Sequence, residues 1–239
     1  MNNKMSVYFK EDTHQYFNTS SGEEYFSATR FLHLFEPEFD KDSISKRVAF
    51  KEGKTQQQVL AEWAAINKAS TTKGSEIHLI MENFVKFGEI KDEYQLLYDS
   101  FKKCVGKDYT YAEAVHPEIL LWIDEFKIAG TADLIIDHPN NEFSVGDYKT
   151  NKKFEFCSSF GNRMLAPVEH LSQCQHNLYA LQLSLYAFMY ALKTGRKLRR
   201  LFLMHCNDIT KGWEYISCNY LKYEVQFMLK YYKEYLMKR

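Results

Sequence analysis

The chain has few of the residues that define several common classes of protein. Its five cysteines among 239 residues are widely scattered, odd in number and without a Cys-x-x-Cys pair. We therefore expect free thiols rather than a disulfide framework or a zinc ribbon. No apolar run approaches the length of a membrane span, and the first residues, Met1 to Lys4, lack the apolar stretch of a secretory signal. These absences predict a soluble, cytoplasmic protein.

Internal repeats, heptad arrays and low-complexity tracts are also missing, and the four prolines and ten glycines form no linker that would divide the chain. The length and an aromatic content of 16% favour one domain with a large core. We expect residues 1–239 to form a single domain. Its first part, residues 1–107, is predicted to be mostly helical, and residues 108–239 to form the core.

The net charge of zero argues against a nucleic-acid partner, because polyanions are bound by Lys and Arg side chains that neutralise phosphates. An uneven distribution of charge would remove this objection. One basic cluster is Lys152 and Lys153, and a second comprises Lys193, Arg196, Lys197, Arg199 and Arg200. Each cluster is either a phosphate-binding patch or a solvated turn.

Hydrophobic periodicity predicts an α/β fold, with a mixed β-sheet flanked by helices and a helical N-terminal layer. Ser27 has the position of a helix N-cap, and Gly74, Gly88 and Gly106 punctuate the helical pattern that follows. The predicted elements are a hairpin within residues 7–17, helices within 28–107, a sheet within 111–149, a long helix ending at Gly195, strands at 201–205 and 213–217, and a helix from Tyr220.

Two carboxylates and a lysine fall at the ends of a predicted hairpin. Residues 126–137 and 142–149 alternate as strands do, and His138-Pro139-Asn140-Asn141 supplies the turn. Asp147 and Lys149 are two residues apart and share a face, which Asp133 can reach from the neighbouring strand. Two aspartates suit Mg²⁺, and a lysine beside them can orient an attacking water and offset developing charge. The alternative is a hairpin with an ordinary exposed Asp and Lys pair.

The flanking sequence extends this pattern. His78 ends a Gly-x-x-x-His sequence, Glu118 lies on the preceding predicted strand, and Gln182 and Tyr186 are four residues apart on one helical face. In order, Gly-x-x-x-His, Glu, Gly-x-x-Asp, Asp-x-Lys and Gln-x-x-x-Tyr resemble the RecB-type branch of the PD-(D/E)XK nuclease superfamily. The similarity is greatest to stand-alone phage and bacterial exonucleases and spans residues 72–187. Glycine replaces the proline of the superfamily's name, as is common in this branch.

The resemblance implies a restriction-endonuclease-like core and a role for each residue. Asp133 and Asp147 would be metal carboxylates, and Lys149 the catalytic lysine. His78 and Glu118 would be accessory ligands or groups that position water, with His78 favouring Mn²⁺ somewhat more than carboxylates do. The residues expected to contact DNA are Gln182, Tyr186 and Lys152. The expected cofactor is Mg²⁺ or Mn²⁺.

Some assignments have competitors in the sequence. Glu113 and Glu125 compete with Glu118, which we prefer because its spacing to the Phe126 strand places it beside Asp133. Gln175 and Tyr179 repeat the Gln-x-x-x-Tyr spacing seven residues before Gln182. The second copy is preferred because a more apolar helix follows it.

An iron-sulfur cluster, which some RecB-type relatives carry, is not expected, because Cys206 and Cys218 are too far apart in sequence.

These observations predict a divalent-metal-dependent deoxyribonuclease, in particular an exonuclease of recombination, repair or phage DNA metabolism. Its partners would be DNA and phage or host recombination and replication proteins. Two alternatives stay open: an endonuclease on the same fold, and a nuclease-derived module that binds or assembles on DNA without turnover.

Overall fold

A computed structural model describes residues 6–207 and 209–237. Within them, eight strands form one mixed sheet. The strands are β1 (Val7–Lys10), β2 (Gln15–Asn18), β3 (Glu24–Ser27), β4 (Ala114–Ile123), β5 (Ile128–His138), β6 (Glu142–Lys149), β7 (Lys197–His205) and β8 (Glu214–Cys218). The helices are α1 (Ala28–His33), α2 (Lys41–Glu52), α3 (Gln56–Phe87), α4 (Gln95–Thr110), α5 (Gln175–Thr194) and α6 (Lys222–Tyr231). None of these helices combines the length and apolar character that crossing a membrane requires.

The predicted α/β class, a mixed sheet with flanking helices, is confirmed. Ser27 caps α1 as expected, because its hydroxyl accepts a hydrogen bond from the Arg30 amide at 3.2 Å. The N-terminal portion holds more strand than the sequence pattern indicated. The third strand there, β3, pairs in parallel with the start of β5 and so joins the N-terminal hairpin to the central sheet.

Strands β4, β5 and β6 form an antiparallel meander. The β5–β6 turn contains Asn140 and Asn141 at φ angles of 66° and 60°, which suits a tight hairpin turn of the primed type. Strand β3 pairs with Ile128 and Ala129 of β5, whereas β6 pairs with β5 from Leu134 onward. Residues 130–133, which include the Gly-x-x-Asp sequence, therefore lie where β5 passes from one neighbour to the other.

The sheet separates two hydrophobic cores. One contains buried residues of α1, α5 and α6, and the other contains buried residues of α3 and α4. Val145 of β6 packs in the first core and Tyr148 in the second, as the alternation of a strand requires. The two faces of β6 thus pack against different helices. Asp147 and Lys149 share the face of Val145, which is the face on the α1, α5 and α6 side of the sheet.

One of the three glycines expected to punctuate the N-terminal helices does not do so. Gly88 ends α3 at φ 70°, and Gly106, at φ 47°, breaks the regular geometry of α4. Gly74 instead lies inside α3, so the expectation of a break there is wrong. A Cβ at this position would lie 3.3 Å from the Thr150 hydroxyl oxygen, and the glycine allows α3 to approach the end of β6.

Candidate functional site

Three carboxylates lie side by side across the meander. Leu134 of β5 pairs with Pro117 of β4 and with Gly146 of β6. Because both pairings are antiparallel, the preceding residue of β5, Asp133, lies beside Glu118 of β4 and Asp147 of β6. Asp133 and Asp147 are buried, and Glu118 is partly buried. The prediction that these strands bring their acidic residues together therefore matches the observed pairing.

His78 reaches this group from α3. Its Nδ1 lies 3.4 Å from Asp133 Oδ2, and its Nε2 lies 2.9 Å from the Tyr148 carbonyl oxygen. Because a carbonyl oxygen can only accept, Nε2 carries the proton and donates. With its proton on Nε2, a metal-binding ring would direct the Nδ1 lone pair toward the carboxylates.

The peptide groups of Tyr148 position two of these side chains. Its N–H donates to Asp133 Oδ2 at 2.9 Å, and its carbonyl oxygen accepts from His78. Sequence reasoning gave Tyr148 no role, because its side chain points away from the site. Its contribution comes from the backbone, which residue type does not reveal.

His78, Glu118 and Asp133 can hold a metal ion. Each offers one ligand atom, and these three atoms lie within 4.8 Å of one another. Two carboxylates and a neutral imidazole are ligands that Mg²⁺ or Mn²⁺ accepts. The donor set therefore fits a divalent cation. It contains His78 and Asp133 of the metal ligands predicted from the sequence, but Glu118 takes the place predicted for Asp147.

Glu118 occupies an unusual backbone conformation. Its φ is 50° in the middle of β4, a region that non-glycine residues rarely adopt. Such strain costs on the order of 1–3 kcal/mol and is concentrated at functional sites. The local irregularity occurs at the residue whose side chain completes the cluster.

Lys149 lies beside Asp147, with its Nζ 2.5 Å from Asp147 Oδ2. Burial lowers the pKa of Lys149, but the charges of Asp147 and Asp133 together raise it by more, so the net shift of the pKa is upward. The side chain is therefore an ammonium at neutral pH. It can donate hydrogen bonds and stabilise negative charge, but it does not act as a base.

Burial and mutual repulsion disfavour the ionised carboxylates. Burial, followed by the charges of Asp133, Glu82 and Asp147, raises the pKa of Glu118 to about 8. Burial, followed by the charge of Asp133, raises the pKa of Asp147 to about 6, against the opposing effect of Lys149. A nearby cation relieves both effects.

Gln182 and Tyr186 connect the site to α5. Gln182 Oε1 lies 3.4 Å from Lys149 Nζ, and its Nε2 lies 3.4 Å from the Tyr186 hydroxyl. Tyr186 is only 3% exposed and packs in the core, although its edge also lines the cleft. A Cβ on Gly130 would lie 2.8 Å from the Tyr186 ring, so glycine is needed for β5 to pass this close to α5.

The earlier Gln-x-x-x-Tyr pair also lies near the lysine. The Tyr179 ring faces Lys149 Nζ at 4.6 Å, whereas Gln175 accepts a hydrogen bond from the Glu155 amide at 2.9 Å. Each copy of the motif thus contributes one residue that lies next to Lys149: Tyr179 from the first and Gln182 from the second. Sequence reasoning rejected Tyr179 as part of the site, and its spacing was the only signal for it.

The other candidates for the upstream carboxylate lie elsewhere. Glu113 pairs with Arg196 at 2.9 Å, and Glu125 pairs with Lys233 at 2.6 Å.

Arg199 and Arg200 of the second basic cluster pair with Asp108. All three arginines of that cluster thus have acidic partners, which offset part of the positive charge of the patch.

The cluster opens into a cleft of about 820 Å³. Successive turns of α3 contribute His78, Glu82 and Lys86 to its wall, while the β1–β2 hairpin contributes Glu11 and His14. Lys152 is exposed on the connection that follows β6, three residues beyond Lys149. The cleft is therefore lined by acidic and basic groups, and His78, Glu118 and Asp133 are among them.

No family model matches the sequence, and no curated protein matches it. Among solved structures, the chain is similar to a candidate exonuclease from Eubacterium rectale, with 14% identity over 90% of this chain and 80% of the other and a TM-score of 0.41. It is also similar to the protein SSO0001, with 15% identity over 92% of this chain and 79% of the other and a TM-score of 0.37. Likenesses this distant leave the function to be argued from the site.

Replacing Glu118 by glutamine is expected to stabilise the metal-free protein. Since the folded-state pKa of about 8 lies above the unfolded value, folding becomes less favourable as pH rises between the two values. Glutamine removes this penalty, so the gain in Tm should be small at pH 5 and several degrees at pH 8. Roughly 2–4 °C corresponds to about 1 kcal/mol in a chain of this size. Thermal unfolding in EDTA measures both values.

Glu125→Gln is the matched control for that measurement, because Glu125 is exposed and paired with Lys233. Its Tm should follow the wild type at both pH values. A Glu118→Gln protein whose Tm tracked the wild type from pH 5 to pH 8 would contradict the proposed crowding of carboxylates.

The Gln182→Ala, Tyr186→Phe double variant is expected to lower, about tenfold, the DNA cleavage that the sequence predicts, since each change removes a polar contact that leads to Lys149. The retained ring should preserve the fold, as a thermal melt would show. The Gln175→Ala, Tyr179→Phe variant keeps a ring under Lys149 and should cleave nearly as well as wild type. A larger loss of activity in this second variant would mean that the wrong copy of the motif was chosen, but would leave the metal cluster in place.

Proposed function

We propose that this protein is a divalent-metal-dependent deoxyribonuclease, in particular an exonuclease. The observation that carries the proposal is the convergence of His78, Glu118 and Asp133, whose ligand atoms lie within 4.8 Å of one another, next to the pair of buried Asp147 and partly buried Lys149. A binding surface for phosphates gains nothing from clustered carboxylates, whereas a metal-dependent hydrolase requires them. The exonuclease assignment rests on the order of the five motifs in the sequence.

Each side chain has a distinct part in this proposal. His78, Glu118 and Asp133 would hold the cation, with Asp147 as a further carboxylate ligand. A divalent cation there would lower the pKa of a bound water and withdraw charge from the phosphodiester. Lys149, kept charged by Asp147, would orient the water and stabilise the charge that develops on phosphorus. In-line attack would release a 3′ hydroxyl and leave a 5′ phosphate.

Groups around the site would orient Lys149 and hold the DNA. Gln182 would orient the Lys149 side chain, and the Tyr186 hydroxyl would accept a hydrogen bond from Gln182 Nε2. Lys152, exposed beyond the end of β6, would contact a backbone phosphate outside the cleft. Recombination, repair or phage DNA metabolism is the proposed setting.

Cleavage of defined DNA substrates tests the proposal. The protein is incubated with linear DNA labelled at the 5′ or 3′ end, single- or double-stranded, and with closed circles, in Mg²⁺, Mn²⁺ or EDTA. We expect metal-dependent shortening of linear DNA while circles remain intact. Cleavage of closed circles would favour the endonuclease, and binding without cleavage in either metal would favour the non-catalytic module.

A further inference from the structure

A group of aromatic rings leads away from Lys149 along the segment that follows β6. Tyr179 lies under the Lys149 ammonium at 4.6 Å, and Phe154 lies 6.0 Å from Tyr179 between ring centroids. Phe156 continues the series at 5.1 Å from Phe154 and is flanked by His176 at 5.0 Å. We call these four rings, Tyr179, Phe154, Phe156 and His176, the aromatic track.

The outer end of the aromatic track is open to solvent. Phe154 is partly buried and anchors the track to the core, but Phe156 is 61% exposed. A single exposed phenylalanine is ordinary on a protein surface. Here the exposed ring continues an unbroken series of contacts that begins at the proposed catalytic lysine, so a ligand that reaches Lys149 could extend onto it.

The charge around the track favours a polyanion. Lys152 and Lys153 are exposed at its start and can neutralise phosphates, whereas Glu155 of the same segment adds one negative charge, with its carboxylate accepting a hydrogen bond from the Ser159 hydroxyl at 3.1 Å. Lysines beside exposed aromatic rings are the arrangement by which proteins bind single-stranded nucleic acid, with phosphates on the cations and bases on the rings. Duplex DNA keeps its base faces covered by neighbouring base pairs and cannot use exposed rings in this way.

We propose that the aromatic track binds unpaired bases of single-stranded DNA beside the cleft, with a base stacked on Phe156. This inference rests on the proposed nuclease function and specifies its substrate as a single strand or an unpaired end. Gln182 faces Lys149 from the cleft and Tyr179 faces it from the track. Lys149 thus marks the point where a strand leaving the proposed metal cluster would meet the first ring.

Binding in Ca²⁺ tests the track separately from cleavage. Fluorescence anisotropy with a labelled single strand and a blunt duplex is measured for wild type, Phe156→Ala and Phe156→Leu. We expect both variants to bind the single strand about tenfold more weakly, because base stacking on an aromatic ring is lost, and to bind the duplex as wild type does. Phe156→Leu retains apolar packing on Phe154 and His176, so it covers the case in which the alanine variant is unstable.

Phe50→Ala is the matched control, because Phe50 on α2 is 91% exposed and belongs to no part of the track. Its affinities should equal those of wild type. A 2-aminopurine base in the single strand gives a direct signal of stacking, since its fluorescence is quenched on a ring. We expect quenching by wild type and Phe50→Ala, and recovery of fluorescence in both Phe156 variants.

The outcomes separate the two proposals. If wild type cleaves DNA but both Phe156 variants bind and quench the single strand as wild type does, the track is wrong and the nuclease proposal stands. If wild type cleaves no DNA in Mg²⁺ or Mn²⁺ while the Phe156 variants lose single-strand affinity, the nuclease proposal fails and the binding track stands. An equal loss in Phe50→Ala would also overturn the track.

Discussion

Replacing Asp133 or Asp147 by asparagine is expected to reduce DNA cleavage by about 10²–10³-fold or more, the scale at which removal of one preorganised polar group acts on a reaction. Asp133 supplies a ligand atom to the cluster, and Asp147 lies beside it and holds Lys149. Neither change should lower the Tm of the metal-free protein, because each removes one of several crowded carboxylates. Single-turnover cleavage in Mg²⁺ and thermal melts in EDTA measure the two effects.

Asp137 provides the control on the same strand. It is also buried, but it accepts hydrogen bonds from the Tyr190 hydroxyl and pairs with His116 and Arg196, away from the cluster. Asp137→Asn should therefore lower stability while the folded protein keeps its cleavage rate. Wild-type turnover by Asp133→Asn or Asp147→Asn would remove that residue from the active site.

Lys149→Met is expected to lower the single-turnover rate by about 10²–10³-fold and to change DNA affinity far less. One lysine among several phosphate contacts contributes modestly to binding, and its loss should reduce the salt dependence by about one phosphate contact at most. The partly buried ammonium, held 2.5 Å from Asp147, is instead placed for the chemical step. Rapid-quench kinetics and anisotropy in Ca²⁺ separate the two quantities.

Lys152→Met should show the opposite pattern, because Lys152 is exposed and lies outside the carboxylate cluster. We expect weaker binding, a shallower salt dependence and an unchanged rate once DNA is bound. Equal losses of affinity and rate in Lys149→Met would make Lys149 an ordinary phosphate contact and would end its catalytic assignment.

The meander was predictable because the sequence signals for its strands and turn lie close together in the chain. Alternating residues along β5 and β6, with a His-Pro-Asn-Asn turn between them, determine which strands pair and therefore which residues face each other. Once the register is known, the proximity of Asp133 and Asp147 follows from strand geometry. The same reasoning placed Glu118 beside them and favoured it over Glu113 and Glu125.

Other features depend on contacts between distant parts of the chain. Glycine favours the end of a helix, yet α3 continues through Gly74, where a Cβ would lie 3.3 Å from the Thr150 hydroxyl oxygen. Arg196, Arg199 and Arg200 form a basic cluster in sequence, but Asp108, Glu113 and Asp137 engage them from other elements. Local sequence patterns contain neither set of partners, so the sequence alone could not predict these outcomes.

Tyr148 links the α3 and α4 side of the core to the spacing of the ligand atoms. Its ring is buried there, 5.3 Å from Trp213 and 5.7 Å from the His78 ring, while its peptide groups hold His78 and Asp133. A substitution around Trp213 that moved the Tyr148 backbone would change the spacing of His78 and Asp133, because the Tyr148 peptide groups bond to both. Packing on the α3 and α4 side of the sheet would thereby affect the affinity of the proposed cation site.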